Sequence, residues 1–241
     1  SLARGEWISF VDSDDKLLPG ALEKLHEISN QTGCGIVKGR YVKEYGRNAR
    51  SEGGKTRVWN CIELIREILY QRFCDCSACG AIYRRNIING TSFTPGERYE
   101  DLDFFYRAFI RAGKIAVTDL PVYYYRDNPT SFVNSFSFSR LDVLKVTERL
   151  ERFMNESYPQ LTKAAKDRRL SANFNMFALM GVSGVRSEEI ESAMKGCWNL
   201  IRKYRRGCLS DPKVRLKNKL GALLSIFGEK MFLTVAKRVY R

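Results

Sequence analysis

Short apolar runs alternate with amphipathic stretches over the first 139 residues of the chain. Because strands give short apolar runs and helices give a 3.6-residue period, this pattern predicts an α/β domain. The first run is nearly all apolar, so we expect a central strand covered on both faces, whereas the second predicts a more exposed strand. Strands are expected at residues 7–11, 36–45, 79–83, 115–118 and 122–126. Helices are expected at about residues 19–28, 60–72 and 100–113, with a polar loop at 46–57.

The pattern changes after residue 139, where only helical periodicity remains. We therefore predict two domains, the α/β domain at residues 1–139 and an α-helical region at residues 140–241. Gly221 and Gly228 are expected to weaken the last helix, which carries a long apolar stripe. The stripe comprises Leu216, Leu220, Leu223, Leu224, Phe227, Met231, Val235 and Val239.

The net charge of +14 is concentrated at the carboxyl end of the chain. Residues 200–241, called the basic tail below, contain twelve Lys and Arg against Asp211 and Glu229, a net +10. Only about +4 is left for the first 199 residues. A local excess of this size indicates an anionic partner for the tail.

Two interpretations of the basic tail remain open. In the first, the apolar stripe packs on the helical region and the cations are merely solvated. In the second, residues 212–241 rest on an anionic membrane surface as an interfacial helix. Ile226, Phe232 and Leu233 lie off the stripe and favour the second interpretation, because packing through the stripe alone would leave them in water.

Other sequence features indicate a protein that is neither membrane-spanning nor secreted. No apolar run reaches the roughly 18 to 20 residues that cross a bilayer, and an odd number of cysteines, seven, favours reduced thiols. The cluster Cys74, Cys76 and Cys79 is the one arrangement that suggests zinc. It lacks a second ligand pair at zinc spacing, and His26 is distant in sequence, so buried small side chains are the alternative.

Three acids follow the first predicted strand, at the edge where open α/β sheets bind ligands. Asp12, Asp14 and Asp15 repel one another beside apolar surface, which destabilises the fold unless a cation neutralises them. Carboxylate oxygens suit Mg²⁺ or Mn²⁺, which could bridge to a diphosphate. The alternative is a set of turn and helix-capping acids.

Two later segments carry further candidate chemistry. Glu100 and Asp101 open a predicted helix, where either could serve as a general base or simply complement the helix dipole. Arg126 follows the last predicted strand and Ser131 comes soon after it. The planar guanidinium of Arg126 could contact phosphate oxygens, or it could be a solvated side chain on an edge strand.

Taken together and in this order, four stretches resemble the family 2 glycosyltransferases of bacterial surface-polysaccharide synthesis, which have the A-type, Rossmann-like nucleotide-sugar fold. The resemblance covers about residues 1–135, so that residues 1–139 would be an incomplete catalytic domain. The stretches are ARGEWISFVDSDDKLLPGALE (3–23), CGAIYRRNII (79–88), ERYEDLDFFYRAFIRAGKI (97–115) and PVYYYRDNPTSF (121–132).

The resemblance implies roles for these residues. Asp12 and Asp14 would hold Mg²⁺ or Mn²⁺ against the diphosphate of a nucleotide-sugar donor, as in a DxD motif. Asp101 would be the catalytic base of an inverting, hexosyltransferase-type reaction, with Glu100 as neighbour or substitute. Arg126 and Ser131 match a region near the diphosphate and acceptor, and Asp15 would support the loop or a sugar hydroxyl.

The resemblance also implies partners and a location. The acceptor would be a growing surface glycan or a polyprenyl-linked sugar, and the protein would be cytoplasmic and peripheral on the inner face of the membrane. The family's usual "VSVIIPVYN" strand and "NDGS" turn are not found in this sequence. We therefore expect residues 1–241 to be a fragment that does not itself transfer sugar.

Two other classes of function compete with this interpretation. A nucleic-acid-binding module would explain the basic tail, but the charge lies at one end and no recognised motif accompanies it, so we expect no nucleic-acid partner. A non-catalytic interaction domain with a decayed site is the other alternative. The intact set of acids argues against a decayed site.

Overall fold

The computed structural model describes residues 3–43, 54–126 and 136–239. The chain divides into two compact units that interleave along the sequence. Unit 1 comprises Ser1–Ile65, Cys76–Pro95 and Glu100–Pro129, and unit 2 comprises Arg66–Asp75, Gly96–Tyr99 and Thr130–Arg241. The single domain boundary expected after residue 139 stays a prediction.

Unit 1 is built on a mixed sheet. Its described strands are β1 Trp7–Ile8, β2 Lys16–Leu17, β3 Ile36–Val42, β4 Thr56–Asn60, β5 Ala81–Arg84 and β6 Lys114–Tyr124. They follow the order β1-β5-β3-β6-β2, and β4 also pairs with β6. The β3–β6 pair is parallel, and the other pairs are antiparallel. The accompanying helices are α1 Ala21–Thr32, α2 Cys61–Leu69, α3 Arg85–Ile88 and α4 Glu100–Ala112.

The first strand is shorter and more peripheral than its apolar sequence predicts. Only Trp7–Ile8 are in β1, which pairs with β5 alone, and a single bridge joins Phe10 to Cys79. Val11 is 45% exposed. The prediction of a central strand over residues 7–11 was therefore wrong, because an apolar run reports burial of side chains and does not report pairing on both sides.

Several other local predictions also differ from the structure. β3 is largely buried, and β4 occupies part of the predicted 46–57 loop. The two strands expected at 115–118 and 122–126 form one long strand, β6, which continues through Pro121. Leu22 of the first helix, which shares its apolar positions with Leu25 and Ile28 in the sequence, is exposed. The helix expected at residues 100–113 is confirmed as α4.

Two helices cover the sheet and fix its carboxyl-end loops. Leu25 and Ile28 of α1 pack in one core with Val37 of β3 and Val122 of β6. α4 contributes a series of buried aromatic side chains, and its Phe104 lies 5.7 Å from the ring of Tyr83 on β5. Burial of each such side chain contributes about 1.5 to 3 kcal/mol to folding, so α1 and α4 are firmly anchored beside the loops that carry the acids.

Unit 2 is helical, as the sequence predicts. Buried apolar residues recur along α5, α6 and α7, and the ring of Phe177 stacks on Trp198 at 5.0 Å. Arg169 and Tyr204 both bind the buried carboxylate of Glu151, so this charge is paired inside the bundle. The helices are α5 Asp142–Ser157, α6 Thr162–Ser183, α7 Glu188–Ser210, α8 Leu216–Leu224 and α9 Glu229–Val239, with short 3₁₀ turns at Phe138–Leu141, Pro159–Leu161 and Ser225–Phe227.

The last segment breaks at Gly228, whose φ of 96° ends one helix before the next begins. The break changes which side chains are buried. Phe232 packs on Phe174 and Trp198, so the expectation that it would lie in water was wrong. Much of the predicted stripe is instead exposed. Its exposed members are Leu216, Leu220, Leu223, Phe227, Met231 and Val239.

Within the described residues, no helix is both long and apolar enough to cross a bilayer.

Candidate active site

Phe10, which lies two residues before Asp12, is held by contacts with three aromatic rings. Phe10 lies 5.2 Å from the ring of Phe93, 5.5 Å from that of Phe104 and 5.6 Å from that of Tyr83. The backbone of Phe10 also pairs with Cys79 in a parallel bridge. These contacts fix the point at which the chain leaves β1 and enters the acids.

The acids themselves form a tight turn. The amide of Asp15 donates to the carbonyl of Asp12 over 3.1 Å, and the amide of Asp12 donates to Tyr123 Oη on β6 over 3.0 Å. Asp15 Oδ1 accepts a 2.8 Å hydrogen bond from the backbone amide of Arg126. One carboxylate of the motif thus ties this turn to the end of β6, whereas Asp12 and Asp14 stay exposed to solvent.

The carboxyl of Asp101 lies at the start of α4 and points back to the segment before β5. Its Oδ1 accepts a 3.0 Å hydrogen bond from the amide of Ala78. Burial raises the pKa of Asp101 to about 6, and repulsion from Glu100 and Asp12 adds to the shift, while the Ala78 amide and the charge of Lys38 oppose it. A carboxyl with this pKa is mostly deprotonated at neutral pH and can still accept a proton, as a general base requires.

Asp103 has a different environment two residues further along α4. Arg107 Nη2 lies 2.6 Å from Asp103 Oδ2, and the hydroxyl of Tyr106 donates to Oδ1 over 3.0 Å. Its carboxylate is buried and saturated by these partners. The structure therefore separates a structural acid, Asp103, from Asp101, which the sequence alone could not do.

Lys38 is a site residue that the sequence analysis did not find. Its ammonium is buried and donates to the carbonyl of Ser77 over 2.7 Å, to Tyr41 Oη over 3.0 Å and to the carbonyl of Cys79 over 3.4 Å. Its charge lowers the pKa of Asp101. The available signal was a lysine directly after the apolar residues Ile36 and Val37 of β3, because a lysine is almost never fully buried without partners.

Gly80 allows the backbone just before β5 to pass close to the side chain of Tyr41 on β3. Its φ is 65°, and a Cβ at this position would approach the ring of Tyr41 to 2.8 Å.

The neighbouring Cys79 thiol is buried, which raises its pKa to about 11. Its thiol therefore stays protonated at neutral pH.

The electrostatics of the acid turn suit a hard cation. Desolvation raises the pKa of Asp12, and repulsion from Asp15, Asp14 and Glu100 raises it further. Over residues 3–43, 54–126 and 136–239, no three Asp, Glu, His or Cys side chains converge as a complete metal site. The zinc interpretation of Cys74, Cys76 and Cys79 is therefore without support in these residues. Mg²⁺ is commonly bound by one or two carboxylates plus substrate phosphates. Asp12 and Asp14 fit that incomplete arrangement.

Arg126 and Ser131 are the remaining predicted site residues. Arg126 is exposed at the end of β6, and its contact with Asp15 is made by its backbone. Ser131 lies outside the described residues. Of the predicted set, Asp14, Asp15 and Glu100 are near enough to raise the pKa of Asp12, and Glu100 and Asp12 are near enough to raise that of Asp101.

Comparison with known proteins gives a family match for part of the chain. Residues 1–90, which include the acid turn, match the model of the family described as glycosyl transferase family 2. The match covers 90 of the 241 residues, so this part of the chain is similar to that family. The glycosyltransferase GlyG of Streptococcus pneumoniae serotype 4 (strain ATCC BAA-334 / TIGR4) is 24% identical over 145 residues, which cover 56% of this chain and 48% of GlyG. The chain therefore spans about half the length of this curated relative.

Solved structures show the same fold. The crystal structure of S. aureus TarS 1–349 in complex with UDP-GlcNAc has a TM-score of 0.62, and that of the complex with UDP has 0.59. Both are 18% identical and cover 99% of this chain and 68% of theirs. The likeness confirms the predicted A-type, Rossmann-like fold with its helical region.

Proposed function

We propose that the protein carrying this chain transfers a sugar from a nucleoside-diphosphate donor to an acceptor hydroxyl, with inversion at the anomeric carbon. The observation that carries the proposal is the position of Asp101. Its carboxyl has a pKa of about 6 and lies within the electrostatic field of Asp12, at the carboxyl-end loops of the sheet. Open α/β sheets bind their ligands at such loops.

In the proposed reaction, Asp101 accepts the proton of the acceptor hydroxyl as its oxygen attacks the anomeric carbon. The bond from that carbon to the diphosphate oxygen breaks on the opposite face, so the configuration inverts. A bound Mg²⁺ or Mn²⁺ would supply positive charge to the departing diphosphate. Asp12 and Asp14 would hold that ion, and the hydrogen bond from Ala78 would keep the carboxyl of Asp101 oriented.

The donor is proposed to be a uridine-diphosphate sugar. S. aureus TarS, which shares the fold, has been crystallised with UDP-GlcNAc and with UDP. UDP-GlcNAc is therefore the first donor to test in this protein. Release of UDP in the presence of Mg²⁺ or Mn²⁺, with and without added glycan acceptors, tests the proposal; lack of turnover with every nucleotide sugar would overturn it. The inactivity of residues 1–241 alone stays a prediction.

We expect the pH dependence of transfer to report Asp101. The deprotonated carboxylate is the active form, so the rate should rise with pH through about 6. Replacing Lys38 by Met removes a charge that lowers this pKa, and the acid limb of the pH–rate profile should move to higher pH. Lys114→Met, at the exposed start of β6, is the matched control and should leave the limb unchanged.

The pH at which the acid limb falls distinguishes an electrostatic effect of Lys38 on Asp101 from a purely structural role of Lys38. Lys38→Met also removes the hydrogen bonds that Lys38 donates to the carbonyls of Ser77 and Cys79, so a lower rate at all pH values is expected in either case. An acid limb at the wild-type pH would contradict the electrostatic role of Lys38. Lys38→Arg, which keeps the charge, should restore the limb toward its original position.

We also propose that residues 212–241 bring the enzyme to the inner membrane face, where a polyprenyl-linked acceptor would be held. Ile226 and Phe227 support this proposal, because they are 52% and 68% exposed within a segment of strong positive charge. Each basic residue near an anionic bilayer adds about 1 kcal/mol of attraction. Apolar side chains that insert between headgroups add to this attraction.

Vesicle sedimentation tests the membrane contact. We expect the protein to co-sediment with phosphatidylglycerol-containing vesicles, and to be released as salt rises. Ile226→Ser combined with Phe227→Ser should reduce the bound fraction several-fold. Val185→Ser is the matched control, because Val185 is 40% exposed in unit 2 outside the tail. Equal binding by the double variant and the control would rule out these residues as the contact.

A further inference from the structure

Unit 2 contains a cavity that the proposed transfer reaction does not use. Its volume is about 690 Å³, within the range of roughly 300 to 1,000 Å³ that is usual for small-molecule pockets. The walls come from α6, α8 and α9, together with Gln71, Tyr99, Arg140 and Val143. All of these residues belong to unit 2, so the cavity is a feature of that unit by itself.

One part of the cavity is apolar. Phe174 on α6 and Phe232 on α9 stack with 5.7 Å between ring centroids, and Val235 and Leu224 line the same space. Gly221 of α8 lies against the ring of Phe174, where an added Cβ would come within 3.3 Å of the ring carbons. This surface offers hydrocarbon contacts and almost no hydrogen-bonding groups, so it favours an apolar ligand chain.

Another part of the lining is cationic. Arg140, Arg168, Arg215 and Lys217 line the cavity, and none of its described lining residues is an Asp or Glu. Arg140 is held in place, since its Nε donates to Tyr99 Oη and its Nη2 donates to Asn175 Oδ1, both over 3.3 Å. A cavity with four cations and no carboxylate in its lining favours an anionic group.

Two buried donors in the lining are unsatisfied. Arg215 Nη2 donates to Ser171 Oγ over 3.2 Å, but Arg215 Nε and Gln71 Nε2 are buried and find no hydrogen-bond acceptor in the described part of the chain. Burial also lowers the pKa of Arg215. A buried donor without an acceptor costs about 1 to 3 kcal/mol, so an acceptor brought by a ligand would recover that free energy.

We propose that this cavity binds an anionic amphiphile, with its hydrocarbon chain against Phe174, Phe232 and Val235 and its phosphate or carboxylate head at Arg215. An apolar ligand alone would leave the buried donors unsatisfied, and a free anion would leave the apolar surface empty. The proposal is independent of sugar transfer. It is also distinct from contact with a membrane surface, because Ile226 and Phe227 do not line the cavity.

The probe for this site is dodecyl phosphate, used below its micelle concentration on the whole 241-residue chain after delipidation. Isothermal titration calorimetry should show saturable binding of one molecule per chain. Inorganic phosphate, which carries the head without the chain, and dodecyl maltoside, which carries the chain without the charge, should each bind at least tenfold more weakly.

Two variants locate the binding. Val235→Trp fills the apolar part, and the pair Arg168→Gln with Lys217→Gln removes two cations from the lining; each should weaken dodecyl phosphate binding at least tenfold. The matched control is Lys195→Gln with Lys230→Gln, which removes two exposed cations of unit 2 that do not line the cavity. This control should bind as the original protein does. Thermal unfolding of each variant shows that the fold is kept.

Several results would overturn the proposal. Equal affinity for dodecyl phosphate and dodecyl maltoside would remove the role of the cations. Wild-type affinity in both cavity variants would place the ligand elsewhere. A saturable self-association of the chain that both variants abolish, without any binding of dodecyl phosphate, would assign the cavity to a protein segment instead.

Discussion

Replacing Asp101 by Asn is expected to lower the rate of sugar transfer by about 10²- to 10⁴-fold, the usual cost of losing a general base. The substitution keeps the shape of the side chain, and the amide oxygen can still accept the hydrogen bond from Ala78. The affinity for the donor should therefore change little. Turnover and donor binding can be measured separately, by release of the nucleoside diphosphate and by calorimetry.

Two neighbouring acids provide the controls for this experiment. Asp103→Asn disrupts the ion pair with Arg107 and should lower thermal stability, without the specific loss of turnover. Glu100→Gln leaves Asp101 in place and should retain most of the activity. If Asp101→Asn turned over normally while Glu100→Gln did not, the base would be Glu100.

Replacing Asp14 by Ala is expected to abolish detectable transfer while leaving the fold intact. Asp14 is exposed in the acid turn, and its side chain is not part of the hydrogen bonds that shape that turn. Loss of this carboxylate would leave the cation without one of its two protein ligands. Excess chelator should have the same effect on the unaltered protein, and added Mg²⁺ or Mn²⁺ should reverse it.

Asp15 is the matched control for the acid turn. Its carboxylate binds the backbone at Arg126, so Asp15→Ala should loosen the turn and lower stability while retaining part of the metal-dependent activity. Full activity of the unaltered protein in excess chelator would contradict the proposed role of the cation. Full activity of Asp14→Ala would place the cation on other residues.

The sequence predicted the architecture and the acids because both depend on local patterns. Strand and helix periods located α4 to within one residue at its end, and the ordered motifs indicated the fold. The order of the strands was not predictable, since the pairing of β1 at an edge depends on contacts with distant residues. An apolar run such as residues 7–11 is equally compatible with a central strand and with a short edge strand followed by a buried aromatic residue.

The candidate acids could be selected from the sequence, whereas Lys38, which lies beside them, could not. The family resemblance selected Asp101 as the base, and the contact of Asp103 with Arg107 and that of Asp101 with Ala78 show how the environments of the two acids differ. Lys38 was missed because its partners, the carbonyls of Ser77 and Cys79, are about 40 residues away along the chain. The burial of Phe232 was missed because the sequence analysis treated residues 216–239 as one helix, whereas Gly228 separates the turn at Ser225–Phe227 from α9.

The buried thiol of Cys79 determines how this site responds to reagents that modify cysteine. With a pKa of about 11, only about one part in ten thousand of this thiol is thiolate at pH 7. Alkylating agents and mild oxidants act on the thiolate, so they should leave Cys79 itself unmodified. A cysteine-directed reagent should therefore not capture Cys79, and a covalent probe of this residue's surroundings would need another target, such as the neighbouring carboxylates.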